Sequence, residues 1–176
     1  MAQVILRPDS VISSTGFDAS SSDLLGLIND DDLNTFTSQN QTNAAIEVSL
    51  ENSNEYVGGT ITDIVLGATV SKNRAGNPDI SLTLIDSNGI ILFTQHTVTS
   101  STPVNILNAA VDANSEGEIL TPTTIDNLTV KLNPSTQGCR VFELFAIITF
   151  TPNLISKGTL KILQGQTKII NGKVTL

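Results

Sequence analysis

The chain has 176 residues, with 17 acidic and 9 basic side chains, one His, one Cys and no Trp. Its net charge of −8 argues against nucleic acid as a general partner, because phosphate binding needs a basic face. One Cys excludes an internal disulfide, no Cys/His cluster can hold zinc, and a single His argues against a Ser-His-Asp triad.

Hydrophobic residues make up 39 % of the chain and charged residues only 15 %. Ile, Leu and Val dominate the first group, and Ser, Thr and Asn fill much of the rest. This balance predicts many short strands joined by polar loops, an all-β sandwich or barrel rather than a disordered chain. No apolar run approaches the roughly 20 residues of a membrane helix, so no membrane is expected as a partner. The start, MAQVILRPDS, reads as too short and polar for an export signal.

In chain order, the first element is a short apolar run after Ser22, where Asp23, Leu24, Leu25, Gly26, Leu27 and Ile28 predict one helical turn or a short helix. Ser22 or Asp23 is the expected cap. Residues 46–50 alternate strictly, Ile-Glu-Val-Ser-Leu, which predicts a strand with one face buried. Residues 61–66 follow Gly58 and Gly59 as a second strand, and residues 80–84 alternate again. Asn88-Gly89 suits the positive φ of a type I′ turn, so residues 80–84 and 90–93 form a hairpin. Further strands are expected at 104–107, 125–132 and 139–150. In the last, both alternating sets are largely apolar, which places that strand in the middle of a sheet. Glu143 interrupts one face and needs either water or a partner.

Charge divides the chain. Residues 1–152 hold all seventeen acids and five bases, Arg7, Lys72, Arg74, Lys131 and Arg140, a net of −12. Residues 153–176 hold Lys157, Lys161, Lys168 and Lys173 and no acid, a net of +4. Pro152 lacks an amide donor and is expected to close the sandwich, leaving a basic arm. Within the arm, Lys161-Ile162-Leu163-Gln164-Gly165 returns seven residues later as Lys168-Ile169-Ile170-Asn171-Gly172. A Gly in each unit excludes a coiled coil and predicts short strands between Gly turns. So small a unit must bury Leu160, Ile162, Leu163, Ile169, Ile170, Val174 and Leu176 elsewhere, on its own sandwich or on a neighbouring subunit.

The densest polar cluster runs from Asn29 to Thr35 with three successive Asp residues. Such a loop either wraps a hard cation through oxygen ligands or caps a strand as a solvated turn; it lacks the spacing of an EF-hand. Residues 30–38, Asp-Asp-Asp-Leu-Asn-Thr-Phe-Thr-Ser, resemble the Asp-Gly-Asp-Pro-Asn-Thr-Tyr-Trp-Ser signature of discoidin-like, galactose-binding-type jelly-roll sandwiches. The strand at 61–66, the hairpin at Asn88-Gly89 and the closing Cys139-Arg140-Val141-Phe142-Glu143-Leu144 follow in that family's order. In its cation-binding members the acidic turn meets the last-strand Glu at a structural calcium. By that resemblance Asp30, Asp32, Thr35 and Glu143 are the calcium ligands, with no other cofactor implied. Asp31 and Thr37 depart from the signature's Gly and Trp.

The chain also resembles small jelly-roll proteins of tailed-bacteriophage particles. That resemblance implies a virion structural protein, assembled in the host cytoplasm, that decorates and cements a capsid through multivalent contacts. It also implies capsid or other virion proteins as partners, and a homo-oligomer, a trimer being common. The contact residues expected in the arm are Leu160, Ile162, Leu163, Lys168, Ile169, Ile170 and Val174. A tail-fibre, neck or baseplate component and a glycan-binding sandwich are the alternatives. No general acid/base pair marks the chain as an enzyme.

Overall fold

The computed structural model describes residues 1–152 apart from 20, 31, 57, 58, 87, 88, 113–118, 123, 124 and 126, together with the backbone of 168–170 and 173–175. Among the described residues, twelve strands and one helix are laid out in chain order. They are β1 (Ala2–Leu6), β2 (Pro8–Thr15), α1 (Ser21–Ile28), β3 (Thr37–Ser38), β4 (Ala45–Leu50) and β5 (Thr60–Lys72). Then come β6 (Asp79–Asp86), β7 (Gly89–Thr97), β8 (Val104–Leu107), β9 (Thr129–Pro134) and β10 (Cys139–Thr151), followed by β11 (Lys168–Ile170) and β12 (Lys173–Thr175).

The first ten strands form two antiparallel sheets. One runs β1–β10–β5–β8, with β3 added on β10; the other runs β2–β4–β9–β6–β7. This is the β-sandwich that composition and the alternating patterns predict, in the jelly-roll form that the resemblance implies. The chain changes sheet at Arg7, between β1 and β2. Pro8 there removes an amide donor, while Glu51 N donates to Arg7 O at 2.8 Å and ties the corner to the end of β4.

The alternation at 46–50 becomes β4, with Ile46, Val48 and Leu50 buried and Ala45, Glu47 and Ser49 half-buried. Opposite them across the core lie Leu144, Ala146, Ile148 and Phe150 of β10 and Ile64, Leu66, Ala68 and Val70 of β5. Each fully buried Ile or Leu contributes roughly 1.5–3 kcal/mol of transfer free energy. Leu24 and Ile28 of α1 and the ring of Tyr56 are fully buried as well; Tyr56 meets Phe150 edge-on at 6.4 Å. Tyr56 and Phe17, both in loops and both buried, are packing residues.

Four details differ from the pattern or lie beyond it. The helix starts at Ser21, so Ser22 and Asp23 sit in its first turn rather than at its cap. The strand expected from residue 125 starts only at Thr129, because Asn127 takes φ of +60°, a conformation Asn tolerates and a ladder does not; Ile125 and Leu128 are buried without being part of β9. The expected Asn88-Gly89 turn includes 88, outside the described residues, but β6 and β7 do pair as a hairpin down to Asp86 and Gly89. In the arm, β11 and β12 form a hairpin with Ile169 opposite Val174; Leu160, Ile162 and Leu163 lie outside the described residues.

Sheet edges differ in character. β2 begins at Pro8, carries Asp9 and has two register shifts, and β8 has only four residues. β7 is nine residues long without a Pro, an Asp, a Glu or a Lys, and Phe93 stands 60 % exposed on it.

Candidate functional site

The central strand β10 presents two faces. One packs into the core; the other carries Glu143, Phe145, Ile147 and Thr149 on the outside of the β1–β10–β5–β8 sheet. A β-bulge between Val141 and Glu143 sets this arrangement, since Phe142 is the extra residue with no partner on β5. Past the bulge, Glu143 and Phe145 of β10 each stand beside a register partner on β5 and the residue beyond it on β8.

Two rows result. In the first, Asn105 of β8, Thr69 of β5 and Glu143 of β10 lie in register. Thr69 Oγ1 lies 2.7 Å from Asn105 Oδ1 and 3.1 Å from Glu143 Oε2, within reach of both acceptors. Arg7, at the corner between the sheets, extends the row: its Nη1 lies 3.7 Å from Glu143 Oε1. Glu143 is thus a largely buried carboxylate with a cation and a hydroxyl beside it, which offsets the cost of taking it out of water.

In the second row, Leu107, Gly67 and Phe145 lie in register. The Phe145 ring occupies the space where a Gly67 side chain would stand; a Cβ there would fall deep inside contact distance of Cε2 and Cζ. Gly in a strand interior commonly marks such a close approach. Ile5 and Ile147, paired across β1 and β10, continue the apolar strip. Together the polar row and the apolar strip enclose a cleft of about 270 Å³ on the face of the sheet. The chemistry it offers is an aromatic and aliphatic floor beside an amide, a carboxylate and a guanidinium, with the buried Thr69 hydroxyl bridging the amide and the carboxylate from behind.

The residues singled out for calcium are placed as follows. Asp30, Asp32 and Thr35 come together in one turn: Thr35 Oγ1 donates to Asp30 Oδ2 at 2.6 Å, and Asp32 N donates to Asp30 Oδ1 at 3.0 Å. Asn34 donates its backbone and side-chain amides to Asp32 Oδ1 at 2.9 and 2.7 Å. Glu143 stands on the outer face of β10 beside Thr69 and Arg7. Among the described residues, no three His, Cys, Asp or Glu side chains gather closely enough to hold a metal ion. Of the arm residues, Lys168, Ile169, Ile170 and Val174 lie on the β11–β12 hairpin.

The remaining chemistry-bearing side chains are accounted for locally. His96 Nε2 lies 3.3 Å from Thr94 Oγ1, and Cys139 is buried, with desolvation pushing its thiol up to about 12. Neither has a nucleophile–base geometry. Sequence reasoning singled out Glu143 but missed Arg7, Thr69, Asn105, Leu107 and Phe145. The signals for them were a strand apolar on both faces and a Gly inside the β5 run.

No family model and no curated protein matches the chain. Among solved structures, the C-terminal CBM6 of a marine laminarinase from Zobellia galactanivorans is similar with a TM-score of 0.49 and 8 % identity, over 84 % of this chain and 99 % of that one. The CBM36-1 domain of a multidomain xylanase from the hindgut metagenome of Trinervitermes trinervoides gives 0.47 and 11 %, over 86 % and 100 %. CBM35 from Cellvibrio japonicus Abf62 gives 0.46 and 12 %, over 85 % and 95 %. All three fall below a TM-score of 0.5, so the sandwich assignment rests on the two sheets themselves.

Proposed function

We propose that this chain is a non-enzymatic glycan-binding module and that the outer face of the β1–β10–β5–β8 sheet is its recognition surface. The observation that carries this reading is the pairing of the two rows, with Phe145 seated on Gly67 and the Asn105–Thr69–Glu143–Arg7 row beside it. A sugar ring has an apolar C–H face and a rim of hydroxyls that both donate and accept. The Phe145, Leu107 and Ile147 floor suits the face, and the amide, carboxylate and guanidinium suit the rim. The reading replaces the virion protein as the leading one, because it rests on a built surface rather than on a degenerate motif.

The test is a glycan array on the full chain, followed by calorimetric titration of the sugars retained. Phe145→Ala and the near-isosteric Glu143→Gln are each expected to weaken binding about tenfold or more, equivalent to about 1.4 kcal/mol. An array with no sugar retained, or a retained sugar bound equally by both folded variants, overturns the reading.

A second reading keeps a specific observation. The β11–β12 hairpin has strands of three residues each, too short to stand alone in water, so it needs a surface to lie on. In a homo-oligomeric virion structural protein of a tailed phage, that surface belongs to a neighbouring subunit or to the capsid. High copy number in purified particles supports decoration, low copy number supports a neck, tail or fibre position, and absence from particles removes the reading.

A further inference from the structure

Five basic side chains serve the whole of residues 1–152, against seventeen acids. Three of the five line a single concavity. Lys72 ends β5, Arg74 follows it in the loop, and Arg140 stands near the start of β10; with Asn73, Ala75 and Ser101 they enclose about 360 Å³. No acid lines it. Sequence order hides this meeting, since Arg140 is far from Lys72 along the chain and reaches it only through the β5–β10 register, where Cys139 opposes Lys72 and Arg140 opposes Ser71.

Each cation is held in place by a neutral group. Arg74 Nη1 donates to Gln137 Oε1 at 2.7 Å, and Lys72 Nζ donates to Asn77 Oδ1 at 2.9 Å. The Arg140 guanidinium lies 4.7 Å above the Phe36 ring, which itself packs on Phe142 at 5.3 Å. Among the described residues, no carboxylate pairs with any of the three. In an acidic protein this is an unusual place to leave three positive charges without a counter-ion.

Buried donors there also lack acceptors. Arg140 Nε is buried with no hydrogen-bond partner; the hydroxyl of Ser71, its register partner, is unpaired as well but is not itself part of the lining. Asn73 Oδ1 is buried and unpaired too; rotated about χ2, the same amide presents a donor instead. Buried polar groups are almost always satisfied, so a cluster of unsatisfied ones beside unpaired cations points to an absent acceptor.

We propose that this concavity is an anion site and that its ligand is a tetrahedral oxyanion group, a sulfate or phosphate, free or as an ester. Two guanidiniums offer forked donors that match such oxygens, the ammonium adds a point charge, and the Phe36 shelf fixes one fork in advance. An extended polyanion such as nucleic acid is disfavoured, since the surrounding −12 body repels it while a compact group meets only the local field.

The experiment is calorimetric titration of the full chain with sodium sulfate and, separately, with inorganic phosphate, at ionic strength held constant with chloride. Glucose 6-sulfate and glucose 6-phosphate then separate free ions from esters. Saturable binding of one ion per chain is expected, with Arg74→Gln and Arg140→Gln each weakening it about tenfold or more. Arg74 is exposed, so Arg74→Gln tests the site without touching the core. Phe145→Ala leaves it unchanged, which keeps this outcome separate from the glycan reading. The proposal is overturned by no saturable heat up to about 10 mM, by equal binding in both variants, or by a mixed-sequence oligonucleotide outcompeting both ions.

Discussion

Cys139 shows how burial turns a reactive residue into a packing one. It opens β10 fully buried, and desolvation alone raises its thiol from 9.0 to about 12. In the unfolded chain the thiol ionises above pH 9, whereas in the folded chain it holds its proton until pH 12. The unfolded state therefore binds fewer protons across that window, and this contribution to stability, fully present below pH 9, is lost as the pH rises through 12. At pH 11 the loss is expected to be a few kcal/mol, on the order of 1.4 kcal/mol per pH unit above 9. Urea denaturation of wild type and Cys139→Ala at pH 8 and pH 11 checks it: the drop between the two pH values is expected to shrink in the variant. The native thiol is also expected to resist alkylation at pH 8, and rapid modification without unfolding would contradict its burial.

At the scale of elements, the pair β5–β10 makes the site. The ring of one strand rests on the glycine of the other, so Gly67→Ala forces Phe145 and Leu107 to move. A loss of about 1–3 kcal/mol of stability is expected, together with a cleft of altered shape. Chemical denaturation measures the first, and loss of sugar binding without loss of sulfate binding measures the second. Elements with a strict period, such as 46–50, were legible in the sequence because burial of one face writes itself into every second residue. The central position of β10 was legible for the same reason, doubled. The site was less so. Asn105, Thr69 and Glu143 are neighbours only through register, and a one-residue bulge at Phe142 decides which face Glu143 takes. The acidic turn at 30–35 was visible as a cluster, but its closure by Thr35 and Asn34 follows from backbone geometry that composition does not carry.

For the whole molecule, the division of charge at residue 152 makes a prediction about cooperativity. Every strand of the two sheets lies within residues 1–152, and β10 ends at Thr151 with Pro152 outside it. A chain ending at 152 is expected to unfold in one transition with a Tm within about 4 °C of the full chain, the shift that 1 kcal/mol produces in a domain of this size. Calorimetry of both chains decides this. A much lower Tm for the shortened chain would mean that the arm completes its own sandwich. An unchanged Tm with a smaller oligomer in light scattering would mean that the arm works between subunits.

The floor of the cleft is carried mainly by β10, which rests on β5 beneath Phe145; both are thirteen-residue strands in the middle of a sheet, paired with each other apart from two bulges. Amides in such a ladder exchange with solvent only when the domain opens globally, so the ground beneath a ligand does not breathe on the timescale of binding. If the proposed recognition occurs there, it is expected to be lock-and-key in kinetics as well as in shape, with no ordering step to slow association. Any ligand held on that floor is held by the part of the protein that melts last. Occupancy therefore raises the stability of the entire sandwich by RT ln(1 + [L]/Kd), and hydrogen exchange at the central strands should slow in proportion.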